Sequence, residues 1–104
     1  MASWLRADWP APTDVVAGTS LRTGGVSRGR YNSLNLGAHV GDESSSVAEN
    51  RRRFLEACDL PREPIWLTQV HGTTVIIDPS AKGNPPQADA VLARGAGTVC
   101  AVLT

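Results

Sequence analysis

One stretch of the chain carries the repeating apolar pattern of an amphipathic helix. Its apolar side chains recur at intervals of three and four residues and share one face: Val47, Phe54, Leu55 and Cys58. Ser46 and Glu49 have the spacing of a capping box at its start, and Pro61 ends the pattern at the latest. The pattern therefore predicts a helix over about residues 44–58.

Arg51 interrupts the apolar face of this helix, because it projects between Phe54 and Leu55. An inward-facing guanidinium needs a partner, since an unpaired buried charge is strongly destabilising. Two roles for Arg51 remain open: it holds loop carbonyls, or it binds an anion such as phosphate. The opposite face is polar and predicts two i,i+4 ion pairs, Glu49–Arg53 and Arg52–Glu56.

The other apolar runs are short and rich in β-branched residues, so they predict strands. They cover residues 15–21, 65–70, 74–77, 88–93 and 98–104. The Pro, Gly and Asn content of residues 78–86 predicts a loop. Together with the helix, these runs predict an α+β fold with mixed β-sheets and one main helix.

The run over residues 98–104 stays apolar to its last residue. Domain termini usually lie in exposed segments. A chain that stops inside an apparent core strand is therefore expected to be cut, or to be completed by a partner that pairs with this strand.

Charge and hydropathy exclude several classes of partner. The chain has ten basic and ten acidic side chains and a formal net charge of zero, which disfavours nonspecific binding to nucleic acid or anionic membranes. No apolar run approaches the roughly 20 residues of a membrane-spanning helix. The N-terminus lacks the apolar core of a signal peptide, so a cytoplasmic location is expected.

The two cysteines, Cys58 and Cys100, are too few for a disulfide framework. Both fall at predicted core positions, where free cysteines act as small buried hydrophobic residues. The alternative is a nucleophilic pair between Cys100 and His71, a Cys–His arrangement that recurs in covalent catalysis.

Residues 21–42 are unusually rich in glycine, with arginine, asparagine and serine interleaved. Glycine allows a backbone to turn through positive φ and to approach a ligand closely. Arginines and free N–H groups beside such turns can form a concavity for an anion. A long hairpin loop with solvated charges is the alternative interpretation.

Several blocks occur along the chain in an order that resembles the YfiH family, also called laccase-domain or multicopper polyphenol oxidase-like proteins. The blocks are residues 8–12, 19–27, 33–42, 47–51, 66–72 and 88–90. The resemblance covers nearly the whole chain. It implies a zinc-dependent purine nucleoside phosphorylase with adenosine deaminase side activity, and hence a purine nucleoside and phosphate as partners.

The resemblance also implies that only one metal ligand is present. The resemblance implies a metal site whose ligands are one histidine, a later cysteine and a later histidine. His71 in Gln-Val-His-Gly matches the first of these ligands. The other two would lie beyond Thr104. Residues 1–104 are therefore expected to be the N-terminal portion of a single YfiH-like domain, inactive alone. His39 ranks below His71 as a candidate ligand.

The implied zinc would keep an open position for water or substrate, with His71 as catalytic metal ligand. Phosphorolysis also requires cationic and N–H donors around phosphate. The candidates are Arg22, Gly24, Gly25, Ser27, Asn35, Arg51 and Gln69. Two other functions stay open: a copper polyphenol oxidase, which the two histidines and single methionine disfavour, and a non-catalytic interaction module.

Overall fold

The computed structural model describes residues 2–79 and 84–104. The chain divides into two compact units, which we call unit 1 (Met1–Asp59) and unit 2 (Leu60–Thr104). Residues 80–83 of the loop predicted at 78–86 lie outside the described residues.

Unit 1 begins with a short antiparallel pair of strands. Strand β1 (Trp4–Arg6) pairs with β2 (Gly18–Ser20), and Trp4 lies opposite Ser20. The strand predicted over residues 15–21 is thus shorter at its start, where Val15 donates its N–H to the carbonyl of Pro12 at 3.0 Å in a turn. A turn over Gly29–Tyr31 forms a single 3₁₀ segment.

The main helix of unit 1, α1 (Ser44–Ala57), confirms the predicted helix and ends one residue earlier. Cys58 caps its C-terminal end and donates its N–H to the carbonyl of Phe54 at 3.1 Å. Val47 is buried, and Phe54 is partly buried on the same face. The helix therefore packs inward through the apolar stripe that its spacing predicts.

The predicted capping box is wrong. Helix α1 begins after Glu43, and no side chain caps the N-terminal residue. The carboxylate of Glu49 is occupied elsewhere: it accepts hydrogen bonds from Arg52 at 2.9 Å and from Arg53 at 2.7 Å. The two predicted i,i+4 ion pairs are confirmed: Glu49 pairs with Arg53 at 2.7 Å, and Arg52 pairs with Glu56 at 2.8 Å.

Unit 2 contains a short parallel pair. Strand β3 (Val75–Ile77) pairs with β4 (Ala90–Leu92), so the predicted strands at 74–77 and 88–93 are confirmed in shorter form. The predictions at 65–70 and 98–104 are wrong as strands, because these segments pair only at single bridges. The bridges join Ile65 to Cys100 and Thr68 to Gln87.

The core of unit 2 consists of Ile65, Leu67 and Ala88, with Ile76 and Val91 packed against it. The apolar runs at 65–70 and 88–93 thus meet even though the first is not a strand. Small mixed sheets and one main helix, over the described residues, confirm the α+β class. None of the described helices has the length and apolar character needed to cross a membrane.

The cysteines depart in part from their predicted burial. Cys58 is partly buried, whereas Cys100 is exposed, so the prediction of a buried Cys100 is wrong. Desolvation raises the pKa of the Cys100 thiol, and the negative charge of Asp78 raises that pKa further. The thiol is therefore protonated at neutral pH, which makes it a poor nucleophile.

Candidate functional site

The glycine-rich loop of unit 1, residues 21–42, is tied to helix α1 by Asn50. This side chain is 0% exposed. Its Oδ1 accepts the N–H of Val26 at 2.8 Å, while its Nδ2 donates to Oγ of Ser27 at 2.8 Å and to the carbonyl of Asn35 at 2.9 Å. One buried amide therefore joins both arms of the loop to the helix.

The two arms of the loop also touch each other at Gly25. Its N–H donates to Oγ of Ser33 at 3.1 Å, and a Cβ at Gly25 would lie 2.0 Å from the carbonyl oxygen of Ser33. Only glycine fits so close an approach of two backbones. Gly24 has φ of 91°, and its carbonyl accepts a hydrogen bond from Arg53 at 3.1 Å.

Ser27 and Asp42 form the polar centre of the same loop. The hydroxyl of Ser27, a residue only 3% exposed, donates to the carboxylate of Asp42. Nδ2 of Asn35 donates to that carboxylate at 3.1 Å, and the N–H of Glu43 donates to its other oxygen at 2.8 Å. Led by the Ser27 hydroxyl, these donors outweigh desolvation and hold the pKa of Asp42 below its ordinary value.

The two candidate arginines of unit 1 both contact loop carbonyls. Nε of Arg22, an exposed residue, donates to the carbonyl of Asn32 at 3.1 Å. Nε and Nη2 of Arg51 donate to the carbonyl of Leu36 at 3.0 and 2.9 Å. Arg51 thus makes the loop-holding contact that was one of its two open roles, and an anion-binding role for either arginine stays a prediction.

His71 lies on a tight turn of unit 2 and is exposed. Its φ of 58° is in the left-handed region, where few non-glycine residues are found. One carboxylate holds this turn: Oδ1 of Asp89 accepts the N–H groups of Val70 at 3.0 Å and His71 at 2.7 Å, and Oδ2 accepts that of Gly72 at 2.9 Å.

The backbone N–H groups around Asp89 also set its charge state. Desolvation raises the pKa of Asp89, but hydrogen bonds from the backbone of Gly72, Val70, His71 and Thr74 lower it by more. The net pKa lies below the ordinary value of 3.8, so the carboxylate is ionised at neutral pH.

The side-chain amide of Gln69, the remaining candidate, bonds both the N–H and the carbonyl of one residue, as a paired strand would. Its Oε1 accepts the N–H of Leu103 at 2.6 Å, and its Nε2 donates to the carbonyl of the same residue at 3.1 Å. Gln69 thereby binds the segment at 98–104 that was predicted as a strand. Its proposed role toward phosphate stays a prediction.

A metal site can be tested against the donor set. Across residues 2–79 and 84–104, no group of three or more His, Cys, Asp and Glu side chains converges as metal ligands. His71 fits zinc as a single ligand, because it offers an exposed imidazole on a turn whose backbone is fixed. Further ligands would have to come from outside the described residues. His39 is also exposed, in the glycine-rich loop.

The structure thus gathers part of the predicted set. Unit 1 brings together six of the candidates. Five lie in the glycine-rich loop and the sixth on helix α1: Arg22, Gly24, Gly25, Ser27 and Asn35 in the loop, and Arg51 on the helix. Gln69 and His71 belong to unit 2.

Sequence reasoning missed Asn50 and Asp89, the two side chains that organise these loops. A signal for Asn50 existed, since it lies three residues after Val47 and four before Phe54 on the inward helix face. Asp89 follows a buried alanine and sits in the block at residues 88–90, with no comparable periodic signal.

Most of this chain matches a known protein family. The family described as multi-copper polyphenol oxidoreductase laccase matches residues 16–104. Purine nucleoside phosphorylase YfiH of Escherichia coli is 47% identical over 107 residues, covering 100% of this chain and 43% of that protein. Purine nucleoside phosphorylase PA4543 of Pseudomonas aeruginosa is 47% identical over 105 residues, covering 100% of this chain and 41% of its own length.

Solved structures show the same likeness. The crystal structure of Neisseria meningitidis protein NMB0706 has a TM-score of 0.87 at 44% identity, over 97% of this chain and 41% of that one. YlmD from Geobacillus stearothermophilus has a TM-score of 0.82 at 32% identity, over 93% of this chain and 40% of that one. The chain thus spans less than half the length of the relatives that it matches.

Proposed function

Because this chain belongs to the family described as multi-copper polyphenol oxidoreductase laccase, we propose that it is the N-terminal part of a zinc-dependent purine nucleoside phosphorylase. The names of its relatives support the reaction class. The share of their length that it spans supports the view that it works within a longer protein. We propose a cytoplasmic location for that protein. Adenosine deamination is proposed as a side activity of the same site.

The observation that carries this proposal is the turn at His71. An exposed imidazole sits on a left-handed backbone that a carboxylate holds through three N–H groups. A neutral imidazole is a common zinc ligand, and its affinity for the metal depends on a fixed orientation of the ring. Bound zinc supplies Lewis-acid polarisation or an activated water. His71 contributes one ligand, and the others are proposed to lie beyond this segment.

The glycine-rich loop is proposed to serve phosphate and nucleoside binding. Arg22 lies exposed at its start, and Asn50 fixes the backbone that follows it at Val26 and Ser27. A preorganised loop places its donors before the bond breaks, which is how fixed dipoles favour a transition state. Asn35 and Gln69 are second candidates, since each side-chain amide carries an NH₂ group that can donate hydrogen bonds.

The family description favours one other function, a copper-dependent phenol oxidase. The chain itself supplies few copper-type ligands, with two histidines, two cysteines and one methionine. The two proposals differ in metal and in co-substrate: zinc and phosphate for phosphorolysis, copper and dioxygen for oxidation.

The test compares His71→Ala with His39→Ala in the complete protein. We expect His71→Ala to lower phosphate-dependent release of purine base by about 100-fold or more. Loss of a metal ligand should reduce activity by more than the roughly 10- to 100-fold that follows from losing a residue hydrogen-bonded to a ligand. His39→Ala, which changes the lower-ranked candidate ligand, should leave zinc bound and lower turnover by less. Arg52→Ala, which removes an exposed side chain of helix α1, is the control and should stay within about twofold of wild type.

A native mass spectrum of the same preparations reports covalent length, bound metal and subunit count together. Zinc in the wild type and its loss in His71→Ala would support the assignment. Copper with oxygen-dependent phenol oxidation and no phosphorolysis would replace it by the oxidase. Unchanged zinc and turnover in His71→Ala would remove His71 from the site.

A further inference from the structure

Asp89 accepts hydrogen bonds from the backbone of the proposed metal ligand and of the residue on either side of it. Its two carboxylate oxygens accept the N–H groups of three successive residues, Val70, His71 and Gly72, at 2.7–3.0 Å. Strand β4 begins at the next residue, Ala90, and the preceding Ala88 is 0% exposed in the core of unit 2. The carboxylate is therefore carried by a residue between a core alanine and the first residue of a strand.

The turn at His71 needs such an acceptor. Three consecutive N–H groups that point to one spot form a concavity with positive potential, and an anion completes it. His71 itself has φ of 58°, a conformation that the surrounding structure has to impose. A second set of bonds ties the same corner down: the N–H groups of Asp89 and Ala90 donate to the carbonyl of Thr74 at 2.9 and 3.3 Å.

We infer that Asp89 is the positioning residue of His71: its carboxylate fixes the left-handed turn and so sets where the imidazole is presented. The inference rests on the proposed function, because it assigns Asp89 a task only if His71 binds zinc. Asp89 does not touch substrate or metal in this role. It acts through the backbone of residues 70–72.

Asp78 is a natural control for this role. It lies in the same unit, also has a positive φ of 46°, and its carboxylate also accepts a backbone N–H, that of Arg94 at 2.9 Å. It further pairs with the Arg94 guanidinium at 2.8 Å. A change at Asp78 therefore perturbs a similar carboxylate turn without touching the backbone at His71.

The experiment uses the complete protein with Asp89→Asn, Asp78→Asn and His71→Ala. Asparagine preserves the shape of Asp89 but replaces one acceptor oxygen by an NH₂ group, which cannot accept an N–H. Amide hydrogen exchange at residues 70–72 is measured in the metal-free protein. Zinc affinity is then measured by competition with a chromophoric chelator.

We expect Asp89→Asn to speed exchange at residues 70–72 by about tenfold or more and to weaken zinc binding by about 10- to 100-fold. Asp78→Asn should change both by less than about twofold. If Asp89→Asn does not fold, Asp89→Glu keeps the charge but moves the carboxylate by one methylene group, and the same two quantities are read from it.

Unchanged exchange at residues 70–72 would overturn the inference. So would faster exchange with unchanged zinc affinity, provided that His71→Ala loses zinc. Full zinc affinity in His71→Ala would instead refute the ligand assignment on which the inference rests. That last result comes from a variant with Asp89 intact, so the two failures are distinguishable.

Discussion

Unit 1 and unit 2 each have a loop in which one side chain makes three hydrogen bonds to the loop, but the two side chains are of opposite kinds. In unit 1 the neutral amide of Asn50 is completely buried and both donates and accepts. In unit 2 the charged carboxylate of Asp89 is only partly buried and, toward the His71 turn, acts as an acceptor alone. Both side chains order a loop, but Asn50 is more deeply buried than Asp89 and carries no charge.

The difference follows from what each loop presents. The glycine-rich loop offers Asn50 an N–H, a hydroxyl and a carbonyl, so its partner has to do both tasks, which an amide can. The turn at His71 offers N–H groups only, and an anion satisfies several of these at once. A buried neutral group avoids the desolvation cost of a charge, so the deeper position carries the amide.

The largest expected effect is that of Asn50→Ala. It leaves the Val26 N–H, the Ser27 hydroxyl and the Asn35 carbonyl without their buried partner. We expect it to lower the free energy of unfolding by about 3 kcal/mol or more, measured by chemical denaturation of the complete protein.

The control for Asn50→Ala is Arg52→Ala on the same helix, where the side chain is 59% exposed. Loss of its surface ion pairs should cost less than about 1 kcal/mol. Equal effects of the two substitutions would contradict the view that the buried amide organises the loop.

The next effect is that of Gly25→Ala. A Cβ there would lie 2.0 Å from the Ser33 carbonyl oxygen, so the two arms of the loop would have to separate. We expect a loss of about 2–3 kcal/mol, seen as a lower unfolding midpoint.

Gly29→Ala separates crowding from backbone strain. Gly29 has φ of 63° but nothing within 4 Å of the added carbon. Its substitution should cost only about 1 kcal/mol. A larger loss at Gly29 than at Gly25 would show that strain, not close approach, makes glycine necessary in this loop.

The smallest expected effect concerns the fall in the free energy of unfolding at acidic pH. The Ser27 hydroxyl is the main cause that lowers the pKa of Asp42 below its ordinary value of 3.8. The unfolded chain then binds this proton at higher pH than the folded chain. The stabilisation is therefore complete above about pH 4 and is lost as pH falls through the lower folded pKa.

Asp42→Asn should accordingly flatten the decline in stability below about pH 4, measured as the unfolding midpoint from pH 2 to pH 6. An acid limb identical to that of wild type would show that Asp42 keeps its ordinary pKa. The glycine-rich loop would then lose its carboxylate as a counterpart to Asp89.

Helix α1 was predictable because local spacing suffices for it, and its inward Arg51 was visible on the same projection. The strands were harder, since the apolar runs at 65–70 and 98–104 look like strands but form only single bridges. Strand formation depends on a partner in register, which a local pattern does not contain.

The candidate site shows the same division. Arg22, Gly25 and Ser27 were identified from a glycine-rich composition and a family resemblance, and they do share one loop. Asn50 could be placed on the inward helix face, but its three partners lie 15 to 24 positions away along the chain, and only the fold brings them to it. The acceptor role of Asp89 arises from residues 17 to 19 positions away, a pairing that only the fold creates.

The hydrogen bonds of Asn50 also affect how easily a protease can cleave the glycine-rich loop. A segment with so many glycines would ordinarily open by itself and be cut there first. Here Val26, Ser27 and Asn35 share one buried partner on helix α1, so the loop cannot leave its place unless that contact breaks. Cleavage within the loop should therefore follow the opening of unit 1 as a whole, and the least regular stretch of the chain becomes as durable as its helix.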